Sequence, residues 1–513
     1  MSTLNKKGTG PTRKTAVSFE GNIQLAKNDE QQLYEALVMT MWGKDSFYES
    51  NDQRLTRVRE NLASVVKRGN LNFVANAIVY ARTVMNIRSM PVILAVEFAR
   101  ELRAQGKSYD NLRRLVTDVI QRVDQITDLY AYALSVFGAK NSVPMAIRRG
   151  VADAFNKFNE YQFGKYNSGG AVKLRDVLRI VHPTGKTIEQ GELFAKIMKD
   201  EVAIPYTWET ELSTNGQKPE GERLSKADLW TQLVKSGQMG YMALLRNVRN
   251  IVDAGVDAKT IKEYVAARLS DPEEVRKSKQ LPFRFVNAID ALEERSNTAI
   301  RDAIEEALDI SLSNLPKLGD NVWIIVDCSG SMQGHYYSTK QAQGATPIKT
   351  ASLFASALFM AQRGADNVAV TMFSDTAFHV HHLISRKASV LQNTKTLMDK
   401  VVGGGTRLDA ALAMKKDLGF EPDVVIVLSD MQITSLTSSE TAALKFNKDT
   451  IKVAINLEAY ESSPTLIGNW YQLGGFSERL FDFVAAMKTK LSVTQVLSQS
   501  YLGIDGTRNL FSK

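Results

Sequence analysis

The sequence predicts two architectures in series: an all-helical array through about residue 315, then a doubly wound α/β domain built on a mostly parallel sheet. Three observations predict it. From about Asn28 to Leu312, apolar residues recur at helical spacing in segments of 11 to 17 residues separated by short polar or Gly/Pro breaks. From Asn321 onward, short β-branched runs alternate with helical stretches, the pattern of a parallel sheet covered on both faces. Between them, Leu315-Pro316-Lys317-Leu318-Gly319-Asp320 breaks both periodicities. A chain of 513 residues also exceeds what one core ordinarily organises, so two or more domains are expected.

Residues 1–20 form a Gly/Thr/Lys-rich basic tail with no periodicity, expected to be disordered. Helices follow in residues 21–315, among them Glu30–Trp42, Gln53–Lys67, Leu71–Val84, Pro91–Gln105, Leu112–Val123, Val143–Phe158, Lys226–Lys235 and Gly240–Val252. Short helices with tight connections fit an α-solenoid, in which each pair buries its apolar face against its neighbours. An irregular helical bundle fits the same periodicity. In residues 316–513, strands Val322–Asp327, Val368–Phe373, Val424–Ser429 and Ile451–Leu457 alternate with helices Ile348–Gln362, Leu408–Lys416 and Ser477–Thr489.

Composition removes several classes of function. No run of about 20 apolar residues is present and the polar, basic N-terminus has no apolar core, so neither a membrane span nor a signal peptide is expected, and the expected location is the cytoplasm. The single cysteine, Cys328, excludes an internal disulfide and a multi-cysteine zinc site. The net charge of +8 is modest for this length, so its distribution matters more than its total. Between Lys140 and Lys186 nine basic residues face three acidic ones, a local +6.

The apolar run Val322–Val326 ends in Asp327-Cys328-Ser329-Gly330-Ser331. Strand ends of this kind are where open α/β sheets bind ligands, and Asp-x-Ser-x-Ser brings three oxygen donors onto one loop. Gly403-Gly404-Gly405-Thr406 precedes a helix, and Asp430 ends the strand Val424–Ser429 at the same sheet edge. Asp327, Ser329, Ser331, Thr406 and Asp430 together suit an oxygen-only, near-octahedral site for Mg²⁺ or another divalent cation, completed by water or by a partner's carboxylate. In this order on these elements they resemble the metal-ion-dependent adhesion site of a von Willebrand factor A domain. The same loops without metal would serve as strand-end and helix N-cap groups.

Catalysis finds little support. No second carboxylate is adjacent to Asp327 in sequence, and no Gly-x-x-x-x-Gly-Lys-Ser/Thr loop for a nucleotide occurs. His335, four residues after Ser331, suggests a nucleophile and base only by sequence proximity. His379 and His381 share one face of a strand, a spacing open to a transition metal but more simply a solvated strand edge.

The basic segment offers a different chemistry. Lys165, Lys173, Arg175 and Arg179 alternate with Tyr161, Phe163 and Tyr166 around the break Asn167-Ser168-Gly169-Gly170. Cations contact phosphates and aromatic rings stack on unpaired bases, which is what single-stranded or structured RNA requires. A charged helical face is also what any solvated helix presents.

Lys173-Leu174-Arg175-Asp176-Val177-Leu178-Arg179-Ile180-Val181-His182-Pro183, with Gly240-Tyr241-Met242-Ala243-Leu244-Leu245-Arg246-Asn247-Val248-Arg249-Asn250 and Leu281-Pro282-Phe283, resembles the TROVE module of Ro autoantigen-type proteins, telomerase-associated protein and vault components. A TROVE module followed by a von Willebrand A-like domain is the architecture of the Ro family, and the resemblance covers about residues 20 to 500. The interval between Phe163 and Lys173 is short on lysines and holds Gly169-Gly170, a departure from the animal pattern that suits a bacterial or phage version.

The resemblance implies an α-helical HEAT-like repeat ring closed by a Rossmann-like A domain. It implies Y-like small structured RNA on the outer surface and single-stranded 3′ ends of misfolded RNA in a positively charged hole. Lys165 joins Lys173, Arg175, Arg179 and His182 as the expected RNA contacts. The implied process is RNA quality control or decay without catalysis by this chain, with the exonuclease polynucleotide phosphorylase as a partner and neither DNA nor membrane involved. The competing readings are a metal-dependent protein-binding adaptor with no RNA ligand and, more distantly, a Mg²⁺-dependent nuclease.

Overall fold

The computed structural model describes residues 15–474 except 18–22, 27–28, 39–50, 84–86, 167–171, 281, 293–296, 334–345, 434–445, 459–461 and 464–469, together with Phe481. Helices dominate through Asn314, and a six-stranded sheet begins at Asn321.

Several helices stack by skipping a neighbour. Met90–Ala104 packs on Asp124–Phe137, Leu112–Val119 on Met145–Phe155, and that helix on Leu174–Val181. This is solenoid-like packing, in which each helix buries its apolar stripe against units before and after it. Gly150 permits one of the closest approaches, since a Cβ there would stand 2.6 Å from the carbonyl oxygen of Arg113 and 2.7 Å from Val116. Helix starts are set by side chains that accept orphan amide protons: Thr187 from the Gln190 N–H, Asp271 from Glu274 and Ser389 from Gln392.

The array curves back on itself. Residues Ile87–Met90, early in the chain, share one cavity with Tyr241–Asp253 and Pro282–Leu292, near the end of the helical region. The α/β domain touches both ends of the array. Asp29–Val38 packs on strand Trp470–Gly474, while Thr298–Ser311 packs on helix Val390–Met398. The expected ring closed by the second domain is therefore present as contacts.

Strands are numbered β1 Thr15–Val17, β2 Ile23–Ala26, β3 Asn321–Asp327, β4 Asn367–Phe373, β5 Ala377–His379, β6 Val424–Ser429, β7 Ile451–Asn456, β8 Ser462–Ser463 and β9 Trp470–Gly474. The large sheet runs β5-β4-β3-β6-β7-β9, parallel throughout except for β5, which pairs antiparallel with β4 at the edge. β3 and β6 are central and buried on both faces, which explains their unbroken apolar runs. Alternate β3 residues serve opposite faces: Val322, Ile324 and Val326 join the main core, and Trp323 and Ile325 pack with Val425, Val427, Leu408 and Leu412. Trp323 Nε1 donates to Thr371 Oγ1 at 2.8 Å, so the buried indole is satisfied.

Several expectations shift. The tail expected to be disordered through residue 20 lies outside the described residues up to Lys14, but Thr15–Val17 forms β1 and pairs antiparallel with β2, which in turn pairs with β8. Main-chain pairing supplies the order that composition does not announce. The expected helix Leu112–Val123 stops at Val119, and Val143–Phe158 is confined to Met145–Phe155 behind a single 3₁₀ turn. The strand expected to carry His379 and His381 is the three-residue edge strand β5, which ends at His379 and leaves His381 in the following turn; β9 was not expected. The expected helix Ser477–Thr489 lies outside the described residues apart from Phe481.

Candidate nucleic-acid interface and metal centre

Two loops and two strand ends build the carboxylate-hydroxyl cluster. β3 and β6 are hydrogen-bonded neighbours, so Asp327 at the end of one lies beside Ser429 at the end of the other, with Asp430 next in chain. Ser429 Oγ donates to Asp327 Oδ2 at 2.6 Å, and the Ser329 N–H donates to Asp327 Oδ1 at 2.9 Å. The Gly403–Thr406 loop is stitched onto the first: Gly403 N donates to Cys328 O at 3.1 Å and Gly330 N to Gly404 O at 3.0 Å. Gly403 and Gly404 adopt left-handed φ of 71° and 91°, conformations glycine takes without Cβ strain.

All five predicted metal residues are thereby brought to one edge, none more than 7% exposed. Ser329 Oγ and Ser331 Oγ stand 3.4 Å apart. Thr406 Oγ1 is buried with no hydrogen-bond partner among the described residues, an unusual state for a hydroxyl unless a ligand completes it. Two carboxylates and three hydroxyls, with lone pairs left over, fit a hard divalent cation. A further carboxylate was missed. Asp375, two residues past the end of β4, packs so close to the same loop that a Cβ on Gly404 would meet its Oδ2 at 2.3 Å.

Neighbouring chemistry is muted. Burial pushes the Cys328 thiol up to about 11, and its Sγ sits 3.1 Å from Phe373 O, so it packs rather than reacts. His335 lies outside the described residues. His379 Nδ1 is 2.9 Å from Thr371 Oγ1 and its ring stands 5.3 Å from that of His381. Burial lowers both imidazole pKa values, and no group of three or more His, Cys, Asp or Glu among the described residues is placed to hold a metal.

On the basic face, Lys173 precedes helix Leu174–Val181, its N–H donating to Asp176 Oδ2 at 3.3 Å, and its side chain is exposed. Arg179 on the last turn and His182 beyond it are also exposed; His182 takes a left-handed φ of 47° and its N–H donates to Leu178 O at 3.0 Å. Arg175 is different, because it is half-buried against Asp200 in an ion pair. Arg148 and Lys157 are likewise spent on backbone carbonyls, of Ile180 and of Thr117 and Ile120 respectively.

The aromatics divide. Tyr161 is 52% exposed, but Phe163 is fully buried, stacked 5.9 Å from Phe155 and edge-on to Phe158, so it is core rather than a base platform. Tyr166 carries Lys165 Nζ at 5.6 Å and Arg122 Cζ at 4.7 Å from its ring centroid. The break Asn167–Gly170 lies outside the described residues.

Sequence reasoning missed a second cationic group. A cavity of about 580 Å³ is lined by Arg88, from the loop before Met90–Ala104, by Arg246 of Tyr241–Asp253 and by Arg284 of Pro282–Leu292. Burial, then the charges of Arg122, Arg284 and Arg246, press the Arg88 pKa downward. Behind it, burial and the charges of Arg88 and Arg122 bring Arg82 down to about 10, still protonated at neutral pH, with its guanidinium bonded to Val119 O and Gln125 Oε1. Because Arg122 also lies over Tyr166, cations run from Lys165 through Arg122 to this cavity. The sequence signal was Arg246, inside the quoted Gly240–Asn250 stretch, but nothing in the linear chain places Arg88 beside it.

Comparisons with known proteins agree with this layout. The TROVE domain model matches residues 24–203 and 194–305, together more than half of the chain, and a von Willebrand factor type A domain model matches 322–432. Telomerase protein component 1 of Mus musculus, like its Rattus norvegicus counterpart, is 39% identical over 89 residues, 17% of this chain and 3% of theirs. The chain thus spans only a small part of those relatives. The crystal structure of Deinococcus radiodurans RO (RSR) protein superposes with a TM-score of 0.58 over 89% of this chain and 99% of that one, at 16% identity, a likeness of fold.

Proposed function

Since this chain belongs to the TROVE-domain family, we propose that it is the RNA-binding scaffold of a Ro-type ribonucleoprotein, with RNA held by the helical module of residues 21–315. The observation that carries the reading is the track of cations from Lys165 and Arg122, which share the Tyr166 ring, to Arg88, Arg246 and Arg284, interrupted where Asp124 pairs with Arg122. Small structured, Y-like RNA lies on the exposed Lys173–Arg179–His182 face, and a single-stranded 3′ end follows the track into the cavity. Recognition through phosphates predicts steep salt dependence and loose sequence preference. The chain acts without catalysis and presents misfolded or decaying RNA to a nuclease such as polynucleotide phosphorylase.

The Thr406 hydroxyl, buried and without a partner among the described residues, favours a second role in residues 316–513. Mg²⁺ held by Asp327, Ser329, Ser331, Thr406 and Asp430 would offer its open coordination position to a partner's carboxylate. This docking accompanies RNA binding; an adaptor without RNA is the alternative.

Purification of the chain from its host followed by sequencing of co-purified RNA tests the main reading. Enrichment of one or a few small structured RNAs is expected. Recovery of no RNA above background would leave only the adaptor.

A further inference from the structure

Ten arginines among the described residues are ion-paired to a carboxylate. Arg59 pairs with Glu97, Arg113 with Asp153, Arg122 with Asp124 and Arg268 with Glu274. Arg88, Arg246 and Arg284 do not: among the described residues none has an ion pair, and no carboxylate lines the cavity they share. Three guanidiniums from a loop and two helices therefore converge on about 580 Å³ of space, within the range of small-ligand sites and enough for about one nucleotide. The other polar lining groups, Ser89, Gln280 and Asn287, are neutral; Ser89 and Asn287 are able to bond a phosphate or ribose oxygen, Gln280 Nε2 already donates to Ser278 O, and Met90 and Met242 offer apolar wall.

The charge count discriminates between parts of an RNA. An internal phosphodiester carries one negative charge and leaves most of the mutual repulsion in place. A terminal phosphomonoester carries about −1.5 to −2 at neutral pH and three acceptor oxygens, which matches several guanidinium forks at once. We propose that this cavity is a terminal-phosphate site, taking the phosphomonoester at the end of a single-stranded RNA in preference to a bare hydroxyl end. The proposal rests on the RNA-binding reading above and adds to it a selectivity for how the RNA was cut.

The test uses the full chain and one short unstructured oligoribonucleotide in three forms: both ends hydroxyl, 3′-phosphate and 5′-phosphate, followed by fluorescence anisotropy at fixed salt. One phosphorylated form is expected to bind about tenfold more tightly than the hydroxyl form, as a charge-assisted bidentate contact warrants. The Arg246→Gln/Arg284→Gln variant should bind all three alike, and excess inorganic phosphate should erase the preference in the unaltered chain. Both arginines are exposed, so the variant is expected to fold, which its thermal unfolding curve checks. Equal binding of all three forms by the unaltered chain overturns the terminal-phosphate site while RNA binding stands. So does a preference that survives in the variant. Failure of every form to bind overturns the RNA reading itself, and stabilisation by inorganic phosphate without any end preference makes the cavity a free-anion site instead.

Discussion

The guanidinium of Arg122 lies 4.7 Å above the ring of Tyr166, on the helix that also carries Lys165, while Arg122 is tied from its other side to Asp124. This one contact joins the basic outer face to the arginine cavity. Removing the ring while leaving the cation tests whether RNA uses the junction. Tyr166→Leu should weaken binding of a tailed structured RNA several-fold, and Tyr166→Phe, which keeps the π-face, should bind normally, since a cation–π contact at such a site is worth about 0.5–1 kcal/mol. Filter binding on the two variants decides it; equal losses would mean that the hydroxyl or the packing, not the ring face, matters.

The four basic residues of the outer face should not behave alike. Lys173 and Arg179 are exposed, whereas Arg175 is held by Asp200. The Lys173→Ala/Arg179→Ala variant should lose affinity and show a log–log salt slope shallower by about 2, roughly one per phosphate contact. Arg175→Ala should change the slope little. Titrations at several salt concentrations read this out, and a large slope change for Arg175→Ala alone would mean that the ion pair opens on binding.

The strand-end cluster yields a prediction with opposite signs in two conditions. Thr406 Oγ1 is buried and unpartnered among the described residues, so in EDTA the near-isosteric Thr406→Val should leave stability unchanged or raise it by about 1–2 kcal/mol. With Mg²⁺ the unaltered chain should gain, by about 2.7 kcal/mol at a hundredfold excess over Kd, and the variant should gain much less. Thermal unfolding with and without Mg²⁺ measures both. No Mg²⁺ response in the unaltered chain would remove the metal from this site.

What the sequence revealed follows from what is local. The β3 and β6 runs, the Asp-x-Ser-x-Ser loop and the Lys173–Pro183 helix are contiguous signals, and each was legible because period, turn and charge sit within a dozen residues. Phe163 was misread because a helical aromatic beside lysines has the same linear pattern whether its ring faces solvent or, as here, Phe155. The arginine cavity was illegible for the opposite reason. Arg88 meets Arg246 and Arg284 only because the helical array curves back, and curvature accumulates from packing angles that no single segment encodes.

Close approach gives a further stability prediction. A Cβ on Gly164 would stand 2.2 Å from Ala203 O and 2.8 Å from Pro205 Cδ, so the segment after helix Ile188–Lys199 lies directly on helix Glu160–Tyr166. Gly164→Ala should cost about 1–3 kcal/mol by forcing backbone apart. Gly191→Ala, which meets nothing within 4 Å, should be neutral or slightly stabilising because alanine favours the helix. Chemical denaturation of the pair isolates the contact from the propensity.

The contact between the last helix and the α/β domain should respond to pH. Asp309, on Thr298–Ser311, has its pKa raised by burial, against the opposing pull of the Val390 N–H and the charge of Arg363. A carboxyl whose pKa is higher folded than unfolded keeps its proton in the native state where the unfolded chain, near 3.9, has already lost it. The native state then binds more protons than the unfolded one, and stability falls as pH rises from about 4 through the raised value. Asp309→Asn keeps an acceptor for the Val390 N–H and removes the titration. The variant should therefore show a shallower fall in Tm across that window and a higher Tm at neutral pH. Because Asp118 and Asp128 are raised by burial as well, the slope should shrink rather than vanish. A Tm–pH profile identical to that of the unaltered chain would mean that Asp309 gains its proton no more readily folded than unfolded.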